Sequence, residues 1–218
     1  MCGRFSRSSP ADVILEELGV MSSAAVDLRP RYNVCPGDDV AAVVQRPEGR
    51  RLGTLRWGLA PRGQINLRSE TLTRNAPWRE ALQRRRCLIV ADGFYEWSTE
   101  QAARVPHFFR LKSHRPFAFA GIWARGPEAQ VGAAILTCPP NEVVAAVHDR
   151  MPVVLDAEQR AAWLEESDPA RLAKLLRPCD PNAIEGYPVS ALVNSARNDT
   201  AECVRPAGGT LRLVAPPA

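Results

Sequence analysis

Short apolar runs, each bounded by glycine, proline or aspartate, recur along the chain and predict β-strands. The first two, DVAAVVQR at 39–46 and RRLGTLRWGLA at 50–60, flank the turn Pro47-Glu48-Gly49. Five more runs follow at short intervals: RCLIVADGFYEW at 86–97, VPHFFRLK at 105–112, PFAFAGIWA at 116–124, GAAILTC at 132–138 and MPVVL at 151–155. These intervals leave no room for a helix between each pair of runs, so the pattern favours antiparallel pairing.

Helical signals interrupt the strands and predict an α+β fold. The best defined helix has Ser9 as its N-cap and Pro10 as its first helical residue, and it ends at Gly19. Further segments with helical character lie at about 77–85, 140–147, 157–166 after an Asp156 cap, and 169–177 after an Asp168 cap. Since the chain has no internal repeat and no long linker, we expect a single domain over 1–205, with 206–218 as a peripheral tail.

The composition is that of an ordinary globular protein. Of the 218 residues, 45% are hydrophobic and 24% are charged, which excludes a disordered, collagenous or repeat chain. No apolar run approaches the roughly 18 residues of a membrane span, and the start MCGRFSRSSP lacks a hydrophobic signal region. We therefore expect a soluble, non-secreted protein of the cytoplasm, associated with the nucleoid if it is bacterial.

Arginine supplies almost all of the positive charge. The formal net charge is +4, and Lys112 and Lys174 are the only lysines among 28 basic residues. The planar guanidinium suits phosphate and stacks on bases, so this bias is compatible with a nucleic-acid partner. GC-rich coding also produces an excess of arginine, alanine and proline, without any selection for binding. Because the net charge is small, a basic surface must be a local patch.

Six cysteines, at positions 2, 35, 87, 138, 179 and 203, are scattered along the chain without a close pair. This distribution argues against a disulfide framework. No Cys-x-x-Cys or His-x-x-x-His spacing occurs, so the sequence predicts neither a metal site nor a cofactor. Cys87 and Cys138 lie within apolar runs and are predicted to be small buried hydrophobic residues.

Cys2 is distinguished by its position in the chain. Initiator methionine is generally removed before a small residue, so the mature chain should begin with Cys2 carrying both an α-amine and a thiol. An α-amine titrates near pH ~7.7–8.0 and is partly nucleophilic at neutral pH. It can form a Schiff base with an aldehyde, after which the thiolate closes a five-membered thiazolidine on the same carbon. The alternative is that Cys2 is an ordinary second residue.

Seven sequence blocks resemble, in order, those of the SOS response-associated peptidase (SRAP) family. The blocks are MCGRF at 1–5, RYNVCPGDDV at 31–40, RWGLAP at 56–61, NLRSET at 66–71, ADGFYEW at 91–97, HDRMPVVL at 148–155 and VSALVNSARND at 189–199. The resemblance implies a mostly antiparallel, curved or barrel-like β-sheet flanked by short helices. It also implies a sensor of abasic sites in single-stranded DNA that crosslinks covalently to the sugar aldehyde, with autopeptidase and abasic-site lyase activity as further expectations.

The same resemblance assigns four reactive residues. Cys2 matches the nucleophile exposed by removal of Met1, and Asn66 matches an asparagine that hydrogen-bonds near the cysteine and the opened sugar. Glu96 matches the acid that promotes Schiff-base formation, and His148 the histidine that assists ring opening. Each of the last three also has a structural interpretation. Glu96 could face solvent from a strand, His148 could interact with a helix dipole, and Asn66 could be a turn residue.

Arginines within the matched blocks are predicted to hold the phosphates that flank the abasic sugar; they are Arg4, Arg68, Arg31 and Arg150, of which Arg4 and Arg68 are the stronger choices. The run 84–86 is predicted to be a solvated helix end, with DNA binding as the alternative. After RWGLAP, this chain has PRGQ where the family has an aromatic residue and a longer loop, and Leu67 replaces a small residue. We therefore expect the crosslinking chemistry to be kept and the preferred DNA junction to differ.

Two other functions remain open for the same residues. In a thiol peptidase, Cys2 would attack a peptide carbonyl with His148 as base and Glu96 as the orienting acid. Against this function, the nucleophile would lie at the mobile end of the chain, and Met1 is the only evident substrate. A non-covalent single-stranded DNA-binding module would bind in a salt-sensitive way and would not need Cys2. We expect a monomer without an obligate protein partner and without membrane contact.

Overall fold

Two β-sheets form the framework of the computed structural model, which describes residues 2–20, 26–72, 76–100, 103–209 and 213–214. Thirteen strands lie within these residues. They are β1 (Arg4–Arg7), β2 (Arg31–Val34), β3 (Asp39–Arg46), β4 (Gly49–Trp57), β5 (Asn66–Arg68), β6 (Arg86–Ala91), β7 (Gly93–Glu100), β8 (Ala103–Leu111), β9 (Phe117–Arg125), β10 (Val131–Cys138), β11 (Met151–Pro152), β12 (Val154–Leu155) and β13 (Ile184–Pro188).

The larger sheet closes on itself. Its strand order is β11-β10-β4-β3-β6-β9-β12, and β10 also pairs with β9, so β4, β3, β6, β9 and β10 form a closed ring. The smaller sheet has the order β13-β8-β7-β1-β2. The predicted α+β class with a barrel-like sheet is therefore confirmed.

The expectation of antiparallel pairing holds for most neighbours, but β10 is an exception. It runs parallel to β4, with Gly132 opposite Arg56, and parallel to β5, with Ile135 opposite Asn66. Closing the ring brings β10 against strands that do not precede it directly in the chain. The relative direction of such strands is not set by a hairpin, so the intervals between apolar runs could not reveal it.

Six short α-helices surround the sheets in the described residues: α1 (Ala11–Leu18), α2 (Ser69–Leu72), α3 (Ala76–Arg84), α4 (Glu142–Ala145), α5 (Ala157–Glu165) and α6 (Pro169–Leu175). The predicted caps Asp156 and Asp168 are confirmed, since their carboxylates accept hydrogen bonds from the N–H groups of Gln159 and Ala170 at 2.8 Å. None of the helices in this part of the chain is long and apolar enough to cross a membrane.

The start of α1 differs from the prediction by one residue. Pro10 occupies the cap position, and Ser9 makes no capping hydrogen bond. The Ser9 hydroxyl instead donates to the Asp92 carboxylate, which also accepts the N–H groups of Ser8 at 2.5 Å and Ser9 at 3.0 Å. Asp92 thus ties the segment before α1 to the turn between β6 and β7. The predicted end of the helix at Gly19 is confirmed by its left-handed conformation, with φ of 60°.

An aromatic cluster joins the two sheets and fixes the first strand. Phe5 of β1 packs edge-on against Trp57 of β4, with ring centroids 5.0 Å apart, and against Phe119 of β9 at 5.7 Å. Phe119 also contacts Phe94 of β7 at 6.2 Å. All four rings are fully buried. Because β1 is anchored in this core, Cys2 and Gly3, which directly precede it, begin from a fixed strand.

The cysteines are all free thiols, and Cys87 and Cys138 are fully buried as predicted. Near the C-terminus, the Val214 N–H donates to the Gly186 carbonyl at 2.7 Å, so this part of the predicted tail lies against β13.

Arg86 contradicts both interpretations of the arginine run at 84–86. Its side chain is buried and donates to main-chain carbonyls of two helical segments: Leu82, Gln83, Trp163, Leu164 and Glu166, at 2.5–3.2 Å. Arg84 is exposed and Arg85 pairs with Glu80. Arg86, the last residue of the run, therefore joins α3 to the end of α5.

Replacing Arg86 by methionine should lower the free energy of unfolding by about 3 kcal/mol or more, because buried carbonyls would lose a charged donor. The exposed neighbour provides the matched control, and Arg84→Met should change stability by less than about 0.5 kcal/mol. Urea unfolding of both variants measures the difference. Equal stability of the two variants would show that the Arg86 hydrogen bonds do not hold the helices.

Candidate functional site

The N-terminal segment is held in place by two hydrogen bonds. Asn66 Nδ2 donates to the Cys2 carbonyl at 2.8 Å, and the Cys2 thiol lies 3.6 Å from the Arg4 carbonyl. Cys2 is 0% exposed. The expectation that the nucleophile would lie at a mobile end of the chain is therefore wrong, because β1 begins only two residues later and is paired on both edges.

Asn66 occupies the first position of β5 and is not a turn residue. Pairing with Ile135 of β10 sets its place in the sheet. Its Nδ2 bonds to Cys2, whereas its buried Oδ1 has no hydrogen-bond partner among the described residues. A buried acceptor without a partner costs free energy, and it can accept a hydrogen bond from a bound ligand.

Glu96 points into the protein, so the solvent-facing interpretation is wrong. The pairing of β1 with β7 sets Arg4 opposite Tyr95, which brings Glu96 beside Gly3 at the start of the chain. Glu96 is only 2% exposed, and burial raises its pKa to about 7. Near neutral pH, this carboxyl group can therefore both accept and release a proton.

His148 follows α4, which has only four residues and therefore only a small helix dipole. Its ring Nε2 lies 3.7 Å from a Glu96 carboxylate oxygen. On the other side of the ring, the Arg150 N–H donates to Nδ1 at 3.0 Å, and Asp149 Oδ1 lies 3.1 Å from the same nitrogen. Burial lowers the pKa of His148. The ring is thus directed at Glu96, and a role confined to the helix dipole does not account for this geometry.

The thiol of Cys2 is poorly suited to ionise in this setting. Burial raises the pKa of Cys2 well above its ordinary value, and the nearby Glu96 carboxylate raises it further. The thiolate is the nucleophilic form of cysteine. An α-amine on the same residue, with a reference pKa of about 7.7–8.0, is the more available nucleophile at neutral pH.

A cleft of about 400 Å³ opens over the Glu96–His148 pair. It is lined by Gly3, Arg4, Glu96, Trp97, Arg104, His148 and Asn194. Trp97 Nε1 donates to Asn194 Oδ1 at 2.8 Å, and the Arg104 guanidinium lies 5.6 Å from the centre of the Trp97 ring. Sequence reasoning did not single out these three residues. Trp97 and Asn194 lay within matched blocks, whereas nothing in the sequence marked Arg104.

A second cavity, of about 690 Å³, lies next to Asn66. Its walls are formed by residues 63–68 together with Thr71 and Trp78. Asn66, in the wall of this cavity, is hydrogen-bonded to Cys2, and the next residue, Gly3, lines the first cleft. Cys2, the N-terminal residue expected after loss of Met1, is thus bonded to a residue that lines the second cavity and is followed by one that lines the first cleft.

Within the described residues, no group of three or more histidine, cysteine or acidic side chains is arranged to hold a metal ion. The site itself brings together a thiol, an amide, a carboxyl group and an imidazole.

These features occur in blocks that a known family shares. The SOS response associated peptidase (SRAP) family model matches residues 1–196. The chain belongs to the SRAP family. The match spans Cys2, Asn66, Glu96 and His148, so the complete constellation lies within the shared domain.

Curated relatives of this SRAP protein are abasic site processing proteins. YoqW of Bacillus subtilis is 38% identical over 221 residues, covering 94% of this chain and 99% of that protein. YedK of Escherichia coli is 31% identical, covering 94% and 100%. Among solved structures, a phage-related protein of Bordetella bronchiseptica has a TM-score of 0.72 at 31% identity, covering 86% of this chain and 94% of that one. A Bacteroides thetaiotaomicron protein shares the fold with a TM-score of 0.83 at 23% identity, covering 94% and 100%.

The four predicted DNA-binding arginines of this SRAP protein have different environments. Arg31 pairs with Asp38 at 2.7 Å and with Asp199. Arg150 forms a two-point contact with Glu70 at 2.5 and 3.0 Å and donates to the Thr137 carbonyl at 2.6 Å. Both guanidinium groups are therefore engaged within the protein.

Arg4 and Arg68, the stronger choices, border the two cavities. Arg4 lines the first cleft while donating to Asn33 Oδ1 at 2.9 Å and the Val193 carbonyl at 2.7 Å. Arg68 lines the second cavity, is exposed, and has no hydrogen bond or ion pair from its guanidinium among the described residues. Of the four predicted arginines, Arg68 is the one most available to a phosphate.

Hydrogen bonds between two of the matched blocks give a structural role to several residues in them. The buried Asn33 amide donates to the carbonyls of Val193, Ser195 and Asn198, at 2.7–3.2 Å. Asp199 accepts the Asn33 N–H at 2.9 Å. These bonds attach the segment around Asn194 to β2, beside the first cleft. Some residues of the matched blocks thus hold the walls of the cleft in place and need not contact a ligand.

Burial of Glu96 should make stability depend on pH. Its pKa rises from 4.5 to about 7 on folding, so its contribution is fully present below about pH 4.5 and is lost as the pH rises through 7. Glu96→Gln should therefore stabilise the protein at pH 8 relative to pH 5, by up to about 3 kcal/mol. Urea unfolding at the two pH values measures this difference. A Glu96→Gln effect independent of pH would contradict the raised pKa.

Proposed function

We propose that this SRAP protein processes abasic sites in single-stranded DNA by forming a covalent crosslink through Cys2 after removal of Met1. One observation carries the proposal: Cys2 is fixed by Asn66 and directly precedes Gly3, which lines the cleft that contains the Glu96–His148 pair. The names of the relatives indicate the substrate class. The geometry supplies the groups that condensation of an aminothiol with an aldehyde requires.

The proposed reaction has two bond-forming steps. The Cys2 amine first attacks the aldehyde carbon of the opened abasic sugar, and the resulting carbinolamine loses one water to give a Schiff base. The Cys2 sulfur then adds to the same carbon, and the thiol proton ends on the ring nitrogen. Because amine and thiol belong to one residue, the second step is intramolecular and has a high effective concentration. The net product is a thiazolidine and one water.

Glu96 and His148 handle the protons in this scheme. With its pKa raised to about 7 by burial, Glu96 can take a proton from the amine and return it to the departing hydroxyl. His148, 3.7 Å from Glu96, can exchange a proton with the ring oxygen as the closed sugar opens to the aldehyde. The Oδ1 of Asn66, which has no partner among the described residues, can accept a hydrogen bond from the amine or from a sugar hydroxyl.

The buried thiol favours an order in which the amine reacts first. A thiol whose pKa is raised by burial stays protonated until a base removes its proton. Formation of the Schiff base creates an electrophile beside that thiol, and Glu96 is the nearby carboxylate. The Schiff base is also where β-elimination would branch off, so abasic-site lyase activity would compete with ring closure at this intermediate.

A denaturing gel tests the proposal. Mature protein is incubated with single-stranded DNA that contains one abasic site, and a heat-stable band of reduced mobility is expected. The matched control is the same strand with a tetrahydrofuran in place of the abasic sugar, which has no aldehyde and should give no band. If the natural abasic site also gives no band with protein shown to lack Met1, the proposal is wrong.

The peptidase alternative is limited by the same site. Removal of Met1 has to precede crosslinking, and the proximity of Glu96 and His148 to Cys2 allows self-removal as well as removal by an aminopeptidase. A fluorogenic-peptide assay without DNA separates general proteolysis from this maturation step.

We propose that the mature protein acts as a cytoplasmic monomer without an obligate protein partner, and that non-covalent DNA binding precedes capture.

A further inference from the structure

The second cavity combines two groups that the proposed crosslinking chemistry does not use. Arg68 extends from β5 into the cavity with its guanidinium unpartnered among the described side chains, and Trp78 of α3 forms part of the wall. Trp78 is half-buried and packs against the core, which limits the orientations of its indole. A guanidinium beside an aromatic ring suits a phosphate next to a base.

The position of this cavity relates it to the DNA strand. Asn66 lines the cavity and binds the Cys2 carbonyl, while Gly3 lines the first cleft. An abasic nucleotide captured by Cys2 is flanked by one nucleotide on each side. The first cleft has Trp97 in its wall and the second has Trp78, so each cavity offers one indole to a neighbouring base. At about 690 Å³, the second cavity is within the size range of small-molecule sites.

We propose that the second cavity is a nucleotide subsite, in which Trp78 stacks on the base next to the abasic site. Arg68, which the sequence resemblance already assigns to a flanking phosphate, would hold the phosphate that adjoins this base. The inference rests on the proposed capture of abasic DNA by Cys2. This subsite gives α3, which carries Trp78, a direct role in binding the strand. The base on the opposite side of the abasic site would then face Trp97 in the first cleft. Stacking does not read base identity, so this subsite tolerates any sequence.

Fluorescence of 2-aminopurine tests the subsite without any crosslinking. The probe strand contains a tetrahydrofuran, which lacks an aldehyde, with 2-aminopurine placed on either its 5′ or its 3′ side. Wild-type protein should quench both strands. Trp78→Leu should restore the fluorescence of one strand only and weaken binding by about 5- to 100-fold. Trp78→Phe should retain most of the quenching, and Trp123→Leu, outside both cavities, should change neither strand.

Arg68 supplies a second readout. Arg68→Gln should reduce the slope of log affinity against log salt concentration by about 0.7, the value for one phosphate contact on a single strand. The matched control is Arg51→Gln, which replaces an exposed arginine of β4 that lies outside both cavities. An unchanged salt slope in Arg68→Gln would overturn the phosphate contact.

The proposal is overturned if folded Trp78→Leu quenches both strands as the wild type does. Should that variant unfold, 5-iodouracil in place of 2-aminopurine allows photochemical crosslinking to the wild-type protein. An adduct at Trp78 supports the subsite, and adducts confined to other residues overturn it. Failure of the subsite is distinguishable from failure of covalent capture, because natural abasic DNA measures capture separately on a denaturing gel.

Discussion

Cys2→Ala should abolish the heat-stable crosslink to abasic single-stranded DNA, with a loss of at least about 100-fold in yield. The variant keeps a small second residue, so Met1 is still expected to be removed and the α-amine remains. That amine can form a Schiff base, but no thiol is present to close the ring, and the effective concentration of the second step is lost. Quantifying the shifted band after heating measures the loss.

Two controls make this result specific. Cys35 is a partly exposed free thiol outside the proposed chemistry, and Cys35→Ala should crosslink like the wild type. Borohydride added during the reaction should trap the Schiff base of Cys2→Ala, which would show that the variant still binds and reacts through its amine. An undiminished heat-stable band from Cys2→Ala would refute the assignment of the nucleophile.

Glu96→Gln should slow crosslinking by about 100-fold or more. It should also remove the part of the rate's rise with pH that is centred at about 7, leaving the rise near about 7.7–8.0 that comes from deprotonation of the amine. In the wild type, the carboxylate form of Glu96 is the base, and burial raises its pKa to about 7. The rate should therefore increase as the pH passes through 7, where Glu96 loses its proton. Loss of a positioned general base typically costs about 10²- to 10⁴-fold. Single-turnover rates between pH 5.5 and 8.5 provide the measurement.

Binding to tetrahydrofuran DNA distinguishes chemistry from structure in these variants. Glu96→Gln and His148→Ala should bind this strand within a few-fold of the wild type while their crosslinking rates fall. The exposed Glu158 of α5 offers a matched acidic control, since Glu158→Gln should leave both rate and pH profile unchanged. Equal losses of binding and crosslinking would mean that Glu96 and His148 act structurally.

Local sequence patterns predicted most of the fold. Alternating apolar runs and cap residues such as Asp156 depend on interactions within a few positions, so they can be recognised in the chain itself. The parallel pairing of β10 with β4 and β5 depends on closure of the ring, which no local pattern encodes. The displaced start of α1 has a similar cause, because Asp92, more than 80 positions away, binds Ser9.

The reactive residues were identified through their sequence blocks, but their physical state required the structure. Position alone indicated that Cys2 could form an aminothiol, whereas its burial and the anchoring of its carbonyl by Asn66 depend on packing. The raised pKa of Glu96 likewise follows from burial on a strand whose sequence is compatible with an exposed carboxylate. These properties come from contacts between distant segments.

The arginines show where a matched block is insufficient evidence for binding. Arg31 and Arg150 lie in shared blocks, yet both are engaged in ion pairs: Arg31 of β2 with Asp38 and Asp199, and Arg150, just before β11, with Glu70. Arg68 lies in an equally well matched block and has an unpartnered guanidinium in the part of the chain that the structure describes. Only the arrangement of partners separates a structural arginine from one available to DNA.

The most direct test of covalent capture is the intact mass of the crosslinked species, followed by fragmentation of the attached peptide. We expect a mass equal to the protein without Met1 plus the abasic strand minus one water, with both the nitrogen and the sulfur of Cys2 bound to the sugar carbon. An adduct on another residue, or one formed by protein that retains Met1, would contradict it.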